Sequence, residues 1–153
     1  MWWRLGRKEW NRNKGEGNRR AFRRIVRSGS EPGVLAYADG HPVGWCAVAP
    51  RKDFSFLERS RVLAPLDDQP VWSITCLFVA KEWRRRGLST RLIEAAVKLA
   101  RKHGAKIVEA YPNDVKSTMP AAFIWTGVTA AFKKAGFRVA ARRSRLRPIV
   151  RIP

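Results

Sequence analysis

One stretch restricts the fold of this chain more than any other: VWSITCLFV, from Val71 to Val79, is nearly all apolar or β-branched and does not alternate with polar residues. Such a run predicts a central strand covered on both faces. After a short basic loop, apolar residues recur at helical spacing from Leu88 to His103, and Gly104 terminates the predicted helix. AKIVEAYP (105–112) predicts a second buried strand. Strand, helix and strand in this order predict a right-handed crossover between parallel strands.

A basic helix and a hairpin are predicted before this crossover. GEGNRRAFRRIVRSG (15–29) places apolar residues at i, i+1, i+4 and i+5 of an otherwise basic helix. Residues 34–38 and 43–48 predict two strands around an Asp-Gly dipeptide, which supplies the positive φ of a hairpin turn. Residues 50–70 predict a connection with one short helical piece, FLERSRVL.

The sequence after the crossover predicts one helix and two strands. PAAFIWTGVTAAFKKAG (120–136) predicts a second long helix closed by Gly136. FRVAAR (137–142) and RPIVRI (147–152) predict the last strands, and Pro148 favours an edge position for the second of them. With no repeat or linker, the chain predicts one α/β domain, residues 1–153, with a mixed sheet and helices on both faces.

Composition narrows the class of protein. The apolar runs are too short to cross a bilayer, and the N-terminal MWWRLGRKEW lacks the apolar block of a secretory signal, so we expect a cytoplasmic protein. Cys46 and Cys76 each lie in a strand-like run, which indicates reduced, buried thiols. No His/Cys cluster surrounds His41 or His103, and we therefore expect no metal site.

The net charge of +20 indicates an anionic partner, such as nucleic acid, a phosphorylated ligand or an acidic surface. The excess is concentrated at the two ends, residues 1–28 and 138–151. A solvated basic face is the simpler explanation for these terminal clusters.

Three consecutive arginines, Arg84, Arg85 and Arg86, precede the helix predicted from Leu88. A cation near a helix N-terminus costs about 0.3–1 kcal/mol, because this end already carries partial positive charge. An anion bound at the free amides, where Gly87 lets the backbone approach a ligand, would reverse that cost. Neither a Walker nor a dinucleotide-binding glycine motif is present, so the run by itself also fits three solvated side chains.

The order LFV, RRRGLS, helix, strand, helix and KKAGF resembles the GNAT superfamily of acyl-CoA-dependent N-acetyltransferases, from about Gly33 onward. RRRGLS follows the pattern R/Q-x-x-G-x-G/A, except that Ser89 holds the last position. The resemblance implies a mostly antiparallel sheet with a splayed parallel strand pair and an acyl-CoA-binding core over residues 71–137. It also implies that the region 1–30 lies on the acceptor side.

The same resemblance implies a binding site for acetyl-CoA as co-substrate. The backbone from Arg85 to Thr90 would wrap the pyrophosphate, and main-chain groups of Leu77, Phe78 and Val79 would contact the pantetheine arm in the splay, with one N–H near Val79 polarising the thioester carbonyl. The residues implied for the site are Leu77, Phe78, Val79, Arg84, Arg85, Arg86, Gly87, Leu88, Ser89 and Thr90.

Several side chains expected of the family are absent. Phe132 replaces the tyrosine that protonates the leaving sulfur in many members, and Trp125 replaces an asparagine that often contacts coenzyme A. Ser73 stands where histone-modifying members carry a basic glutamate.

Glu109 and Tyr111 are the remaining catalytic candidates, because they follow the buried strand where the splay should open. A carboxylate in apolar surroundings is a stronger base, and a tyrosine hydroxyl can act as an acid. The alternatives are an arginine partner for Glu109 and a packing role for Tyr111. Asp67 and Asp68 could hold a cationic amine or simply form a turn.

The sequence thus predicts an acetyl-CoA-dependent N-acetyltransferase that acts by direct attack of an amine, with the amine unidentified. One alternative is a nucleic-acid-binding module that uses the terminal arginines with Trp2, Trp3 and Trp10. Another is a GNAT scaffold that binds acyl-CoA without catalysis. Seven tryptophans would also allow an aromatic homodimer interface.

Overall fold

A computed structural model describes residues 1–114 and 124–153. Within them the helices are α1 (Arg7–Arg12), α2 (Glu16–Arg27), α3 (Ser55–Glu58), α4 (Leu88–Lys102) and α5 (Thr129–Lys134). The strands are β1 (Gly33–Ala38), β2 (His41–Pro50), β3 (Trp72–Val79), β4 (Val108–Ala110), β5 (Arg138–Ala141) and β6 (Ile149–Ile152). Short 3-10 helices cover Arg51–Asp53 and Lys81–Trp83.

The six strands form one sheet in the order β1-β2-β3-β4-β6-β5. Only β3 and β4 pair in parallel, and the other neighbouring pairs are antiparallel. The predicted crossover connects the parallel pair through α4. This confirms the predicted mixed, mostly antiparallel sheet.

The parallel pair is splayed. β4 pairs with β3 only from Trp72 to Ile74, whereas β3 continues to Val79. Beyond that point the segment 124–128 lies beside β3, and the amide of Leu77 donates a hydrogen bond to the carbonyl of Trp125 at 2.7 Å. The gap predicted between the two strands is therefore partly lined by this segment.

Apolar side chains cover both faces of the sheet. On one face, α4 buries Leu92, Ile93 and Ala96 against β-strand residues such as Ile74. On the other, Trp3, Phe54, Leu57, Leu63, Tyr111 and Ile149 form a second cluster beneath the N-terminal segment and α3. These two clusters confirm helices on both faces.

The predicted hairpin and basic helix are confirmed. Asp39 (φ 49°) and Gly40 (φ 77°) form the turn between β1 and β2, as the Asp-Gly dipeptide predicts. α2 spans Glu16–Arg27, inside the predicted range. The short helix α1 was not predicted, because its six residues carry only one apolar side chain, Trp10.

The long helix predicted over 120–136 is wrong for the described part of that range, 124–136. Only Thr129–Lys134 is helical; Gly127 is left-handed (φ 81°) and Val128 is extended. The backbone here pairs with other segments instead: Gly127 accepts a hydrogen bond from the amide of Asn113 at 2.8 Å. Tertiary pairing thus overrides the apolar spacing, and residues 120–123 lie outside the described ranges.

Three smaller corrections concern strands and one short helix. Pro148 does not mark an edge, because β6 lies between β4 and β5; the proline immediately precedes the strand and so removes no donor from it. β4 is only Val108–Ala110, shorter than AKIVEAYP, because it ends where the strands splay apart. The helical piece of the connection is Ser55–Glu58, at the start of the predicted one.

Candidate functional site

The loop between β3 and α4 forms a concave set of backbone amides. Arg85 (φ 62°) and Gly87 (φ 77°) are both left-handed, and Gly87 caps the N-terminus of the fifteen-residue helix α4. Among the described backbone hydrogen bonds, none is donated by the amides of residues 85–89. Left-handed residues together with free amides at a helix start form an anion-binding concavity. A left-handed arginine is also strained, which is common at ligand sites.

A cavity of about 700 Å³ adjoins this loop. One wall is residues 77–79 of β3, a second is Arg84, Arg85 and Ser89, and the third comes from residues 124–131. The cavity therefore occupies the splay between β3 and the segment that replaces a continued β4. Its lining thus combines the apolar end of β3 with the basic residues that precede α4.

The three arginines divide between two sides of the loop. Arg84 Nε donates to the carbonyl of Val79 at 3.0 Å, and Arg85 lines the cavity. The guanidinium of Arg86 lies 5.5 Å from the centre of the Trp83 ring, on the wall of a different cavity. Of these three arginines, Arg84 and Arg85 therefore contribute positive charge to the lining of the larger cavity.

Six of the ten implied binding residues line the larger cavity: Leu77, Phe78, Val79, Arg84, Arg85 and Ser89. Arg86 and Leu88 line the cavity that also contains Trp83. Gly87 and Thr90 line neither cavity, although Gly87 shapes the loop. Two main-chain groups implied for ligand contact are occupied, because Leu77 N–H bonds to Trp125 and Val79 C=O accepts from Arg84.

Glu109 and Tyr111 lie in a buried polar network rather than in the lining of the larger cavity. The Glu109 carboxylate accepts from Arg51 Nη1 at 3.0 Å, Arg151 Nε at 2.7 Å and the Tyr111 hydroxyl at 2.6 Å. The Tyr111 hydroxyl also lies 2.9 Å from Ser73 Oγ. Both candidate side chains are fully buried and fully paired.

The network also explains the protonation of Tyr111. Burial, and then the adjacent Glu109 charge, raise the pKa of the Tyr111 hydroxyl above its usual range. The neutral phenol therefore persists at any physiological pH. This geometry supports the two structural alternatives: an arginine partner for Glu109 and a packing role for Tyr111.

Asp67 is also engaged. Its carboxylate accepts from Arg151 at 2.6 and 3.3 Å, which lowers the pKa of Asp67. This contact joins the loop after α3 to strand β6, which contains Arg151. Arg151 also donates to Glu109, so Asp67 and Glu109 share one arginine. Asp67 thus extends the structural network.

The positions that lack family side chains are well defined. Phe132 is fully buried and packs edge-to-face on Phe137, with ring centres 5.2 Å apart. Trp125 lines the larger cavity, and its ring centre lies 5.5 Å from that of Trp3. The Phe132 ring has no hydrogen-bond donor, whereas the Trp125 indole has a single N–H.

A second cavity, of about 420 Å³, lies against the same strand β3. Thr75 and Cys76 line it, directly before the residues that line the larger cavity. Its other walls come from the N-terminal segment, α2 and β2, and five aromatic rings dominate them: Trp3, Trp10, Phe22, Trp45 and Phe54. Burial raises the pKa of the Cys76 thiol, so this cysteine is uncharged and weakly nucleophilic.

Sequence reasoning missed this aromatic cavity. The signal in the sequence is the set of tryptophans among the basic residues 1–10, which also fits stacking on nucleic acid. Trp3 is only 4% exposed, and Trp2 packs edge-to-face on Trp10. Arg51, which organises the Glu109 network, was also missed because a lone arginine after a strand carries no pattern.

No group of three or more His, Cys, Asp or Glu side chains that could hold a metal occurs within residues 1–114 and 124–153. Over the same residues, each helix is too short or too polar to span a bilayer.

The chain was compared with known proteins. The model of the acetyltransferase (GNAT) family matches residues 1–122. A search of curated protein sequences found no match.

Solved structures of similar fold share little sequence with the chain. Salmonella typhimurium yncA, solved with acetyl-CoA, is 17% identical, with a TM-score of 0.58 over 90% of this chain and 73% of that one. The ribosomal-protein-alanine N-acetyltransferase of Brucella melitensis is 18% identical, with a TM-score of 0.56 over 90% and 76%. A Bacillus subtilis acetyltransferase in complex with CoA is 17% identical, with a TM-score of 0.51 over 84% and 82%.

Proposed function

This chain belongs to the acetyltransferase (GNAT) family, and we propose that it transfers an acetyl group from acetyl-CoA to the nitrogen of an amine. The observation that carries the proposal is the cavity of about 700 Å³ that joins the splayed end of β3 to the free amides before α4. Solved relatives of the same fold hold acetyl-CoA or CoA, which supports this ligand.

Within this proposal, residues 85–90 hold the pyrophosphate through backbone amides and the positive end of α4. Arg84 and Arg85 supply charge, and Ser89 is small enough to leave the amides accessible. Leu77, Phe78 and Val79 line the path of the pantetheine arm. Since Trp125 occupies the Leu77 amide, binding of the arm at this point requires the segment 124–128 to shift.

Acetyl transfer proceeds by attack of the amine nitrogen on the thioester carbon, with loss of the coenzyme A thiolate. The chain contributes mainly by holding the two reactants together, an effect that can supply about 7–11 kcal/mol of barrier reduction. For Glu109 and Tyr111 we propose a structural role, because their burial and pairing support it better than proton transfer at the cavity. In this proposal the leaving thiolate takes its proton from water and not from a side chain of the protein.

A matched pair of charge reversals tests the cradle. Arg85→Glu should weaken acetyl-CoA binding about tenfold or more, because a charge-assisted contact becomes repulsive. Arg86→Glu changes net charge equally but lies beside Trp83, so it should weaken binding much less. Equal effects of the two variants would place the pyrophosphate elsewhere.

Two other functions are separated by further assays. The helix α2, with no buried residue and five arginines, favours polyanion binding as a second candidate. That candidate predicts retention on a DNA column at physiological salt that persists when coenzyme A is saturating. A scaffold without catalysis would bind acetyl-CoA but release no thiol with any amine.

A further inference from the structure

The aromatic cavity is adjacent to the proposed acetyl-CoA site. Thr75 and Cys76 line the aromatic cavity, and Leu77 and Val79 line the larger cavity. All four residues lie within five positions of one another on β3. The contact between Trp3 and Trp125, with ring centres 5.5 Å apart, joins a wall of one cavity to a wall of the other. An acceptor bound among the aromatic rings would therefore lie next to the thioester.

Among the described residues, neither cavity is lined by an Asp, Glu or His side chain. Residues 115–123, VKSTMPAAF, also contain none of the three. The α-amino group of Met1, whose pKa burial lowers, also belongs to a residue of the aromatic cavity, so a carboxylate is what the lining lacks. An alkylamine is protonated at neutral pH and would enter as an ammonium ion with no lining carboxylate to pair with, whereas an aromatic amine is uncharged because its lone pair is delocalised into the ring. The cavity chemistry thus favours an aromatic amine.

The charged side chains of the aromatic cavity are two arginines, Arg4 and Arg19, among the described residues. Arg4 is paired with Asp53 at 3.5 Å, while Arg19 is exposed and has only a 3.7 Å contact to Glu16 on its own helix. An ammonium group would meet positive charge here without a carboxylate to offset it. An acidic group on the ligand would instead complement Arg19.

Two buried polar atoms of this lining have no hydrogen-bond partner in the described part of the chain: Trp3 Nε1, a donor, and Asn18 Oδ1, an acceptor. The Asn18 amide is oriented by its Nδ2, which donates to the carbonyl of Trp10 at 3.0 Å. Unpaired buried groups of this kind cost about 1–3 kcal/mol each. A ligand with both an N–H and an acidic oxygen can satisfy both atoms.

We infer that the acceptor is an aromatic amine that carries an acidic group, bound in the cavity formed by Trp3, Trp10, Phe22, Trp45 and Phe54; this inference rests on the proposed acetyl transfer. The ring stacks among the aromatic side chains and the acidic group interacts with Arg19. In the reaction, a nitrogen–carbon bond forms and the carbon–sulfur bond breaks. The amine loses one proton to water, and the thiolate gains one, giving the anilide and free coenzyme A.

Three small amines separate the contribution of the aromatic amine from that of the acidic group. 4-Aminobenzoate has both, 4-(aminomethyl)benzoate replaces the aromatic amine by an alkylamine, and 4-toluidine lacks the acid. The assay is release of thiol from acetyl-CoA at neutral pH, with the acetylated product identified by mass. The value of kcat/KM should be about tenfold higher for 4-aminobenzoate than for 4-(aminomethyl)benzoate, because the alkylamine is mostly protonated at this pH; a tenfold difference corresponds to about one pKa unit. The value for 4-aminobenzoate should exceed that for 4-toluidine about fivefold, the size of one partly exposed ion pair.

The variant Arg19→Gln tests the acid contact. The ratio of kcat/KM for 4-aminobenzoate to that for 4-toluidine should fall about fivefold. Arg20→Gln, on the same helix but outside the cavity lining, is the matched control and should leave this ratio unchanged. Phe22→Leu removes a ring that packs edge-to-face on Trp45 and should raise KM for both aromatic amines.

A parallel titration with acetyl-CoA separates the two levels of failure. Absence of acetyl-CoA binding would overturn the proposed function and this inference together. Binding of acetyl-CoA with a preference for 4-(aminomethyl)benzoate, or with thiol release only from other amines of a wider panel, would overturn the acceptor class alone. Binding with no thiol release from any amine would overturn the proposed acetyl transfer itself. An unchanged ratio in Arg19→Gln would overturn the acid contact.

Discussion

Replacing Arg51 by methionine should destabilise the fold strongly. Its guanidinium, 7% exposed at the residue level, donates to Glu58, Glu109, Tyr111 and the carbonyls of Leu57 and Leu63, at 2.6–3.3 Å. Methionine keeps an unbranched apolar stem but lacks the guanidinium, so these acceptors lose their donor. Removing one partner of a buried ion pair costs about 3–5 kcal/mol. For a chain of this size that loss lowers Tm by about 10 °C.

The assay is urea unfolding followed by tryptophan fluorescence, with Arg61→Met as the control. Arg61 lies in the same connection and is exposed, so its replacement removes the same charge with a change of about 0.5 kcal/mol or less. The free energy of unfolding should therefore separate the two variants by at least about 2 kcal/mol. Equal stability of Arg51→Met and Arg61→Met would refute the structural role of the network.

The same network allows a test of the roles of Glu109 and Tyr111. Glu109→Gln should lower stability, because two arginines, Arg51 and Arg151, lose their buried carboxylate. The turnover per folded molecule should change little. Loss of turnover by about a hundredfold with the fold intact would instead identify Glu109 as the general base, since base catalysis contributes effects of that size.

Three further predictions concern backbone, pH and thiol reactivity. Gly127→Ala should weaken acetyl-CoA binding and lower stability by about 1–2 kcal/mol or more, measured by titration and urea unfolding, because Gly127 has φ 81° and a Cβ there would lie 2.7 Å from Leu77 Cδ1. Since burial raises the pKa of Tyr111 in the folded state, its contribution is intact below about pH 10 and decreases as pH rises further. In a Tyr37→Phe background, tyrosinate absorbance should then appear only together with unfolding. Burial also raises the pKa of Cys46, so in a Cys76→Ser background a thiol reagent should modify Cys46 only as the protein unfolds, and rapid modification of the native variant would contradict the burial of Cys46.

The crossover was predictable because its signals are local. The unbroken apolar run of β3, the helical spacing from Leu88 and the arginine-glycine loop each occur within one segment, and their order carries the family resemblance. In the structure the glycine of RRRGLS is the left-handed cap of α4. Which arginines face the cavity was not predictable, because Arg86 turns away through its contact with Trp83.

The errors arise from long-range contacts. The apolar residues of 124–136 fit a helix, but the carbonyls of Trp125 and Gly127 bond to Leu77 and Asn113, which are distant in sequence. The buried role of Glu109 depends on Arg51 and Arg151, fifty-eight and forty-two residues away. The aromatic cavity likewise requires the N-terminal segment to pack beside β2 and β3, which composition alone does not indicate.

Isothermal titration of the purified chain with acetyl-CoA tests the central claim most directly, with acetyl-pantetheine, which lacks the pyrophosphate and the phosphoadenosine beyond it, as the comparison ligand. We predict saturable binding of acetyl-CoA in the micromolar range, at least about tenfold weaker binding of acetyl-pantetheine, and a similar loss for acetyl-CoA with Arg85→Glu. No detectable heat with millimolar acetyl-CoA, or equal affinity for the two ligands, would contradict the assignment of the β3–α4 loop as the pyrophosphate site.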